Sequence, residues 1–499
     1  MDIEAQVIAW LDKQGVSAYL VGGWVRDRLR GRPNYDLDLA VDGDGLTLAR
    51  RLADRLGGHY YPLDSERGTG RAIFEGEQRR LVVDIGRFRG PDLQADLADR
   101  DFTINALAAD VHTPETVIDH HGGLADLAAG LIRPVSEDSI RNDPLRALRA
   151  VRQSAELGFA LAPETEALMR RDGPGLRDVS GERVRDELAR LLAGPDAAHH
   201  LHVLDGLGLL AVLFPELEPL RGLQQPPPHH LTGLAHSLAV VAALEAIVAA
   251  VRDAKGPRAR PVPALYPIDG AFLQSHRQRL GQHLAERLGH DRPRLVTLKL
   301  SALLHDTGKP GTRSVEAARG AGDGQPGRIR FIGHEVEGAE MAAAALSRLR
   351  FDRDEVRLAR TIVRHHMRPL LLADLPTVSN RAVYRFFRDT GDGGVDILLH
   401  ALADHLAIFA PGEGKERWQR LLALTGRMLA DYWDRPAQRV QPPPLIDGHD
   451  LMTAFGLEPG PLIGELLEAV REAQVEGEVS SREEALALAR ERLRRGDSG

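Results

Sequence analysis

The stretch that decides the fold runs from Tyr19 to Val41 and reads YLVGGWVRDRLRGRPNYDLDLAV. Its first three residues form an apolar run that is typical of a short strand. Gly22 and Gly23 follow, and they predict a tight turn into a helix whose first backbone N–H groups are free to bind a phosphate. A Pro-Asn turn then predicts a second strand, which extends to the end of the stretch.

Two carboxylates lie on this second strand. Because residues i and i+2 of a strand point to the same face, Asp36 and Asp38 lie side by side, whereas Leu37 and Leu39 face the core. Two anions held this close repel each other unless a cation lies between them, and Mg²⁺ prefers oxygen ligands. A lone Asp-x-Asp is usually a solvated strand face and a lone Gly-Gly is usually a plain turn. Their joint occurrence favours a phosphate-binding turn beside a paired-carboxylate Mg²⁺ site, which nucleotidyl transfer requires.

The composition restricts the class of protein. The chain has 499 residues, which predicts two to four domains, and it has no cysteine, which excludes disulfides, thiolate zinc sites and a cysteine nucleophile. The formal net charge is -8, so any RNA contact must come from local arginine clusters. We expect no membrane-spanning segment and no secretory signal, and therefore a cytoplasmic protein.

With these motifs the chain resembles the class II nucleotidyltransferases, a family of tRNA CCA-adding enzymes, their CC-adding and A-adding relatives, and bacterial poly(A) polymerases. The resemblance implies an α+β fold, in which a polymerase-β-like head with a mixed sheet precedes an elongated, mostly α-helical neck and body. It implies attack of an RNA 3′-hydroxyl on the α-phosphate of CTP or ATP, with Mg²⁺ as the cofactor. The tRNA 3′ end is the implied partner and substrate.

The resemblance also implies a third carboxylate for the Mg²⁺ site. Asp84 lies within an apolar strand run, where a carboxylate costs free energy unless it is paired or binds a metal. By resemblance, Asp84 completes the site of Asp36 and Asp38. The structural alternative is an ion pair of Asp84 with Arg71 or Arg87.

Two motifs in the head are implied to bind the nucleotide. By resemblance, the first motif contributes Gly22, Gly23, Arg26 and Asp27. The second motif, RDFTIN, contributes Arg100, Asp101 and Asn105. Arg100 and Asp101 would help to select the ribose, because a carboxylate that accepts from a 2′-hydroxyl favours ribonucleotides. Asp101 or Thr103 is also in position to cap a helix that follows it.

A predicted helix with a cationic face follows Asp143-Pro144. The plain interpretation is a basic helix at the protein surface that binds no ligand. By resemblance, Asp143 and Arg146 face the Watson–Crick edge of the incoming nucleotide, where the carboxylate accepts from the exocyclic amine of cytosine or adenine and the guanidinium donates to ring acceptors. Arg149 and Arg152 would reach the triphosphate. The family often has glutamate where this chain has Asn142, so the choice between C and A stays open.

The next predicted helix, in residues 179–192, carries alternating charges. Ser180 is in position to cap it. We expect most of its charged side chains to form a structural network that orients the preceding cationic helix: Glu182, Arg183, Arg185 and Glu187.

A second group of metal-binding residue types follows a Pro-rich seam at residues 224–228. Its distinctive motif is LLHDTGKP at residues 303–310, and the pattern resembles the HD phosphohydrolase superfamily. The resemblance implies a second divalent metal held by His236, His305, Asp306, His334, His365 (or its neighbour His366) and Asp404. A metal bound there would lower the pKa of water for attack on a phosphate ester. The alternative is a degenerate HD domain that serves as an RNA-binding helical body.

These motifs predict four domains. They are a nucleotidyltransferase head at 1–133, a helical neck at 134–223, an HD domain at 224–440 with a mobile insertion at 252–294, and a C-terminal helical tail at 441–499. The glycine-rich residues 311–330 predict a flexible loop near the second metal site. Three functional alternatives stay open: a poly(A) polymerase, a specialist that adds only CC or only A, and an HD phosphohydrolase or RNA-binding protein with an inactive head.

Overall fold

The computed structural model describes residues 3–76, 80–252, 270–316, 328–410 and 413–496. The chain forms two compact units. One consists of Met1–Leu191 with Val203–Leu213, and the other of Leu192–His202 with Phe214–Gly499. The boundaries of the four predicted domains stay a prediction.

A seven-stranded mixed sheet with the strand order β3-β4-β5-β2-β1-β6-β7 forms the head of the first unit. Its strands are Ala18–Val21 (β1), Asp36–Val41 (β2), His59–Asp64 (β3), Thr69–Glu75 (β4), Arg80–Arg87 (β5), Leu107–Asp110 (β6) and Val117–Asp119 (β7). Strands β2 and β5 run parallel, and the other neighbouring pairs run antiparallel. The mixed sheet and the helices around it confirm the predicted α+β head.

The helices of the first half of the chain surround this sheet or follow it. They are Ile3–Leu11 (α1), Gly23–Leu29 (α2), Gly45–Leu56 (α3), Leu93–Ala98 (α4), Gly123–Ala129 (α5), Ser139–Asn142 (α6), Leu145–Leu157 (α7), Pro163–Asp172 (α8), Gly181–Ala193 (α9), Ala197–Gly206 (α10) and Leu209–Leu213 (α11). Two short parallel strands, Leu131–Ile132 (β8) and Ala160–Leu161 (β9), lie between them. Short 3-10 turns span Thr103–Asn105, Gly173–Asp178 and Pro215–Leu220.

The core of the head lies between the sheet and helices α1 and α3. Leu37 and Leu39 of β2 are buried there, as their predicted inward orientation requires. Helix α3 begins where the Asp44 side chain accepts a hydrogen bond from the Leu46 N–H, and it ends at Gly57 in the left-handed conformation. These local signals fix the inward face of β2, so its aspartates face the other way.

One predicted helix of the head is wrong. Thr103–Asn105 is a single 3-10 turn without a side-chain cap, and strand β6 follows it. The segment Leu107–Asp110 has residues that favour helices, but it pairs with β1 and is buried between neighbouring strands. Tertiary pairing therefore overrides local propensity here.

The second unit is mainly helical. Its helices are Gly233–Arg252 (α12), Gly270–Ala285 (α13), Arg294–Leu304 (α14), His334–Arg348 (α15), Arg353–His365 (α16), Met367–Ala373 (α17), Asn380–Thr390 (α18), Gly393–Ile408 (α19), Lys415–Asp434 (α20), Pro436–Arg439 (α21), Gly448–Phe455 (α22), Pro461–Glu476 (α23) and Arg482–Gly496 (α24). Two antiparallel strand pairs join them, Arg287–Leu288 (β10) with Arg292–Pro293 (β11) and Arg313–Glu316 (β12) with Arg328–Phe331 (β13).

Two segments that were predicted to lack regular structure contain it where the structure describes them. Helix α13 and the pair β10–β11 lie within the predicted insertion, whereas residues 253–269 lie outside the described residues. The predicted flexible loop contains β12 and all but the last residue of β13, and its residues 317–327 lie outside the described residues. Leu280 and Leu284, one turn apart, are the buried anchors of α13. Their signal was obscured by the surrounding arginine and histidine residues.

Helix α12 is long and apolar enough to cross a membrane by length and composition, contrary to the expectation that no segment of the chain reaches this apolar length. In the structure, 67% of its apolar window is buried within the second unit. It packs there against α13, α14 and α19. His236 and Glu245 of the same helix are buried as well, in polar surroundings. Helix α12 is therefore a core helix of this unit.

Candidate active sites

Three carboxylates lie on one face of the parallel pair of strands in the head. The register of β2 and β5 places Asp38 directly opposite Asp84, and Asp36 lies two residues before Asp38 on the same face. Asp36 is exposed, whereas Asp38 and Asp84 are half-buried. The donor set consists of carboxylate oxygens alone, which fits Mg²⁺.

Asp84 also forms an ion pair with Arg71, which was the predicted alternative to metal binding. Arg71 Nε lies 2.7 Å from Asp84 Oδ1, and Arg71 Nη2 lies 2.7 Å from Asp84 Oδ2. A bidentate pair of this kind satisfies the carboxylate without a metal. Asp84 as a metal ligand stays a prediction.

The electrostatics of Asp38 differ from those of an ordinary carboxylate. Burial raises the pKa of Asp38 to about 6, and the charges of Asp84 and Asp36 add to this effect, while Arg100 and Arg71 oppose it. A carboxylate whose pKa is raised by burial and by neighbouring carboxylates is typical of a functional site. A bound cation would relieve this repulsion.

The Gly22 turn presses against the same carboxylate. Gly22 has φ 72° and ψ -137°, a conformation that favours glycine, and its N–H donates to the Leu107 carbonyl at 3.2 Å. A Cβ at this position would lie 3.1 Å from Arg100 Nη1 and 3.3 Å from Asp38 Oδ2. Arg100 is held in place by Asp96, whose Oδ2 lies 2.8 Å from Arg100 Nη2. The turn thus brings bare backbone, a guanidinium and the central aspartate into one small space.

Other residues with predicted nucleotide contacts form a continuous polar network. Arg26 pairs with Asp27 and donates through Nη1 to Asn105 Oδ1 at 2.7 Å. Asn105 in turn donates through Nδ2 to Asp101 Oδ1 at 2.9 Å and to Gln153 Oε1 at 3.0 Å. Gln153, which sequence reasoning missed, is buried on α7 and links that helix to the head.

The network continues from Asp101 into the helices that follow the head. Arg149 Nη1 lies 3.3 Å from Asp101 Oδ2, and Arg149 Nε lies 3.3 Å from Glu187 Oε1. Burial would raise the pKa of Asp101, but Arg149 and the donors Asn105 and Phe102 hold that pKa below its usual value. Asp101 is therefore a charged, fully engaged carboxylate, and its role at the ribose stays a prediction.

Arg152 is buried in ion pairs with two glutamates. Its side chain is 9% exposed and pairs with Glu187 and Glu156. Because residues three apart on a helix are rotated by about 60°, Arg152 turns inward where Arg149 is still partly exposed. The guanidinium of Arg152 thus belongs to the framework that joins α7 to α9, and its contact with a triphosphate stays a prediction.

Asp143 and Arg146 face different partners. Asp143 Oδ2 accepts from Arg183 Nη2 at 2.7 Å, at the wall of a pocket of about 650 Å³ that Arg141 and Arg171 also line. Arg146 Nη2 donates to the backbone carbonyl of Asp99 at 2.6 Å. The two side chains do not form one base-reading pair in this conformation, so their joint role stays a prediction.

A cluster of titratable side chains is buried at the centre of the second unit. Helix α12 contributes His236, the end of α14 contributes His305 and Asp306, α15 begins with His334, and α19 carries Asp404. All five are at most 6% exposed. Two further histidines complete the cluster, His366 and His400.

The cluster uses His366 where the sequence analysis preferred His365. His366 is 1% exposed, and its Nε2 lies 3.4 Å from His334 Nε2. His365 is half-buried and borders Arg364 and Arg368. Each residue of a helical turn rotates by about 100°, so only one of two adjacent histidines can face the cluster. Composition alone did not reveal which one.

Three histidines of the cluster share one hydrogen-bond pattern. Their Nδ1 atoms lie 2.9, 2.7 and 2.6 Å from carbonyl oxygens three residues earlier in the chain, for His305, His334 and His366 respectively. A carbonyl only accepts, so Nδ1 of each ring carries a proton, and Nε2 is the nitrogen left to bind a metal. This is the arrangement in which histidine binds metals.

The donor set fits a divalent metal. Two triads have ligand atoms within 4.8 Å of one another, His236–His305–Asp404 and His305–Asp306–His366. Despite burial, the imidazole of His305 and the ammonium of Lys309 hold the pKa of Asp306 well below its usual range. Its carboxylate is therefore charged and able to bind a cation.

A pocket of about 300 Å³ opens onto this cluster. Its walls are largely apolar, with Pro226, Phe331, Ile332 and Met367 among them. Lys309 Nζ lies 2.7 Å from Asp306 Oδ2 and supplies a positive charge at the base of the pocket. A phosphate group could meet the metal-binding residues and Lys309 here, while an apolar ring contacts the walls.

Comparison with known proteins assigns domain families to both units. The matching family models are the Poly A polymerase head domain at residues 18–133, the RNA and SrmB-binding site of polymerase A at 158–220, the HD domain at 278–406, and tRNA nucleotidyltransferase domain 2 at 439–489. The Poly A polymerase head model covers Asp36, Asp38 and Asp84. The HD model covers the buried cluster of the second unit except His236.

Individual relatives match nearly the whole chain. The A-adding tRNA nucleotidyltransferase of Deinococcus radiodurans is 36% identical over 477 residues, which cover 94% of this chain and 94% of that protein. The CC-adding tRNA nucleotidyltransferase of Thermus thermophilus is 35% identical over 476 residues, 94% of this chain and 92% of that protein. A solved complex of a CCA-adding enzyme with ATP shares the fold, with a TM-score of 0.63 at 21% identity over 98% of this chain and 94% of that one. The chain therefore belongs to the tRNA nucleotidyltransferase family.

Proposed function

We propose that the head adds C or A residues of the CCA terminus to tRNA 3′ ends, from CTP and ATP, without a nucleic acid template. The observation that carries this proposal is the placement of Asp36 and Asp38 beside the Gly22 turn and Arg100, in a chain that relatives named for A addition and CC addition match over 94% of its length. The substrates imply a cytoplasmic protein.

The reaction joins the RNA 3′-oxygen to the α-phosphorus of the nucleotide and breaks the bond from that phosphorus to the β-phosphate, so pyrophosphate leaves. Mg²⁺ held by Asp36 and Asp38 would neutralise the reacting phosphate and favour the attacking alkoxide. Arg100 lies against Gly22 and Asp38, where its guanidinium would offset negative charge on the triphosphate. Asp143 is available in its pocket to accept from the exocyclic amine that cytosine and adenine share.

One assay tests the proposal and separates its variants. The full-length protein would be incubated with Mg²⁺, each labelled NTP in turn, and four RNAs: tRNA ending at the discriminator base, tRNA ending in C, tRNA ending in CC, and an unstructured RNA. Ordered C, C and A addition restricted to tRNA identifies a complete CCA-adding enzyme. Addition of C alone or of A alone identifies a specialist. Long A tails on every RNA would identify a poly(A) polymerase, and no incorporation would contradict the proposal.

Lowering the pH through about 6 is expected to weaken the apparent Mg²⁺ affinity of nucleotide addition. The pKa of Asp38 is raised to about 6, so below this value a proton competes with the ion for the carboxylate. The Mg²⁺ concentration for half-maximal rate should be constant above about pH 7 and should rise about tenfold per pH unit below about 5.5. Single-nucleotide addition measured across Mg²⁺ concentrations at each pH checks this. An unchanged half-maximal concentration throughout would contradict it.

Replacing Gly22 by Ala is expected to lower kcat/KM for nucleotide addition about 10²-fold, because the methyl group would displace Asp38 or Arg100 and strain a positive φ. Gly23→Ala is the matched control. A Cβ on Gly23 would lie 3.5 Å from Arg26 Nη2, an ordinary van der Waals distance, so this variant should stay within about threefold of the wild type. Equal losses in the two variants would mean that the turn is only a structural element.

We also propose, as a second activity, that the cluster of the second unit hydrolyses a phosphate ester at an RNA or nucleotide end. The observation that favours it is the pocket that ends at His305, Asp306 and Lys309. A divalent metal held there would lower the pKa of a bound water. The phosphate released from 2′,3′-cyclic and terminal monophosphate substrates would be measured for the wild type and for Asp306→Asn. The variant should lose hydrolysis and keep nucleotide addition, and unchanged hydrolysis would contradict this second proposal.

A further inference from the structure

A fifth imidazole lies in the cluster of the second unit outside the pattern that the HD motif implies. His400 is on α19, one turn before Asp404, and it is 0% exposed. Its ring centroid lies 4.9 Å from that of His305 and 5.6 Å from that of His366. We propose that His400 is a further metal-binding residue of this cluster. The inference rests on the proposed metal binding there and is independent of nucleotide addition by the head.

His400 has the features of a ligand rather than those of a satisfied core histidine. Among the described residues, neither of its ring nitrogens has a hydrogen-bond partner. Burial of an unpaired polar group costs free energy, and a metal would provide the missing partner.

His405 resembles His400 in its burial and in its lack of hydrogen-bond partners, but it lies in a different place. It lies on the same helix, is 0% exposed, and its ring nitrogens also lack hydrogen-bond partners among the described residues. Its ring, however, packs against Phe409 and Trp418, with centroids 4.7 and 5.7 Å away. The five-residue spacing turns it away from the cluster that His400 faces. His405 is thus a matched control for burial without metal binding.

His400 adds a fifth imidazole to the donor set of the cluster. With it, the cluster has five imidazoles and two carboxylates: His236, His305, His334, His366, His400, Asp306 and Asp404. Seven donor residues exceed the four to six positions of a single transition-metal ion. The two triads share His305, which can serve only one ion through Nε2 because its Nδ1 is bonded to the Ala302 carbonyl, so a second ion would use the remaining donors. We therefore expect room for two ions, drawn from the imidazole-binding transition metals rather than Mg²⁺.

The test is cobalt binding by the full-length chain. Wild type, His400→Gln, His405→Gln and His305→Gln would be stripped with a chelator and titrated with Co²⁺. The visible absorption of bound Co²⁺ and the metal content by mass spectrometry would be recorded at each step. His400→Gln should alter the cobalt spectrum and weaken Co²⁺ binding at least about tenfold. His405→Gln should keep the wild-type spectrum and affinity.

Each other outcome overturns the inference in an identifiable way. If His400→Gln matches the wild type while His305→Gln does not, His400 is only a packing residue. If His305→Gln also has the cobalt spectrum and Co²⁺ affinity of the wild type, the cluster binds no metal. The proposed hydrolysis is then refuted as well, while the proposal for nucleotide addition is unaffected. Circular dichroism would check folding, and His400→Asn would replace His400→Gln if the latter unfolds. A loss of binding in the folded His400 variant, with His405→Gln intact, supports the inference.

Discussion

Nucleotide addition by the Asp38→Asn variant is expected to fall at least about 10³-fold, the largest effect of any single substitution in the head. Asp38 lies between Asp36 and Asp84 and holds the charge that would attract Mg²⁺. An amide of the same shape keeps the packing but removes this charge, and metal stabilisation of a transferring phosphoryl group is worth several kcal/mol. Incorporation of a labelled nucleotide into tRNA under single-turnover conditions measures the loss.

The stability of the same variant separates a chemical defect from a folding defect. The pKa of Asp38 is raised in the folded state, so its contribution to stability in the absence of metal falls as the pH rises from about 4 through about 6. Asp38→Asn removes this contribution. Its melting temperature at pH 7 without metal should therefore equal or exceed that of the wild type. Hydrolysis at the second cluster should be unchanged, and full nucleotide addition by Asp38→Asn would refute the assignment of the head.

Glu187→Ala is expected to cause the largest loss of stability, about 3–5 kcal/mol in the free energy of unfolding of the first unit. Glu187 is 5% exposed and accepts hydrogen bonds from both Arg149 and Arg152. Its removal leaves the buried guanidinium of Arg152 with Glu156 as its remaining partner. Native-state hydrogen exchange of peptides from α7 and α9 would report the loss within the intact chain.

Glu156→Ala is the control for this prediction. Glu156 pairs with the same arginine, but its side chain is 47% exposed, and such pairs contribute at most about 1 kcal/mol. Glu187→Gln, which keeps one acceptor and the side-chain shape, should fall between the two. Because Arg149 joins Glu187 to Asp101, Glu187→Ala should also reduce nucleotide addition. Similar exchange rates in Glu187→Ala and Glu156→Ala would contradict a structural role for the buried pair.

The residues of the head could be predicted because their signals are local. The strand, the glycine turn and the second strand appear in the sequence in the order in which they meet in space, and the period of two in β2 separates Asp36 and Asp38 from Leu37 and Leu39. The structural role expected of Glu187 was likewise visible from its helical spacing. The helix predicted after Thr103 was wrong because the structure there depends on a long-range contact. Pairing with β1 makes residues 107–110 a strand.

For the cluster of the second unit, the sequence pattern predicted only some of the residues. Motif spacing located His305 and Asp306, but the choice of His366 depends on where α16 ends, which is a tertiary property. His400 was missed although it lies four residues before Asp404, a spacing that places both on one helical face. A search for histidines one turn from each predicted ligand would have found it.

Helix α12 is exposed to solvent for part of the time in which the protein is synthesised. Its partner α19 ends at Ile408, so about 150 further residues leave the ribosome before this long apolar helix can be fully covered. At bacterial rates of about 5–20 residues per second, this interval lasts on the order of ten to thirty seconds. During that time an exposed apolar helix invites aggregation or a nearby lipid bilayer. The nascent chain is therefore expected to depend on a chaperone between residues 252 and 408, and a product truncated in this interval should aggregate while the full-length protein stays in solution.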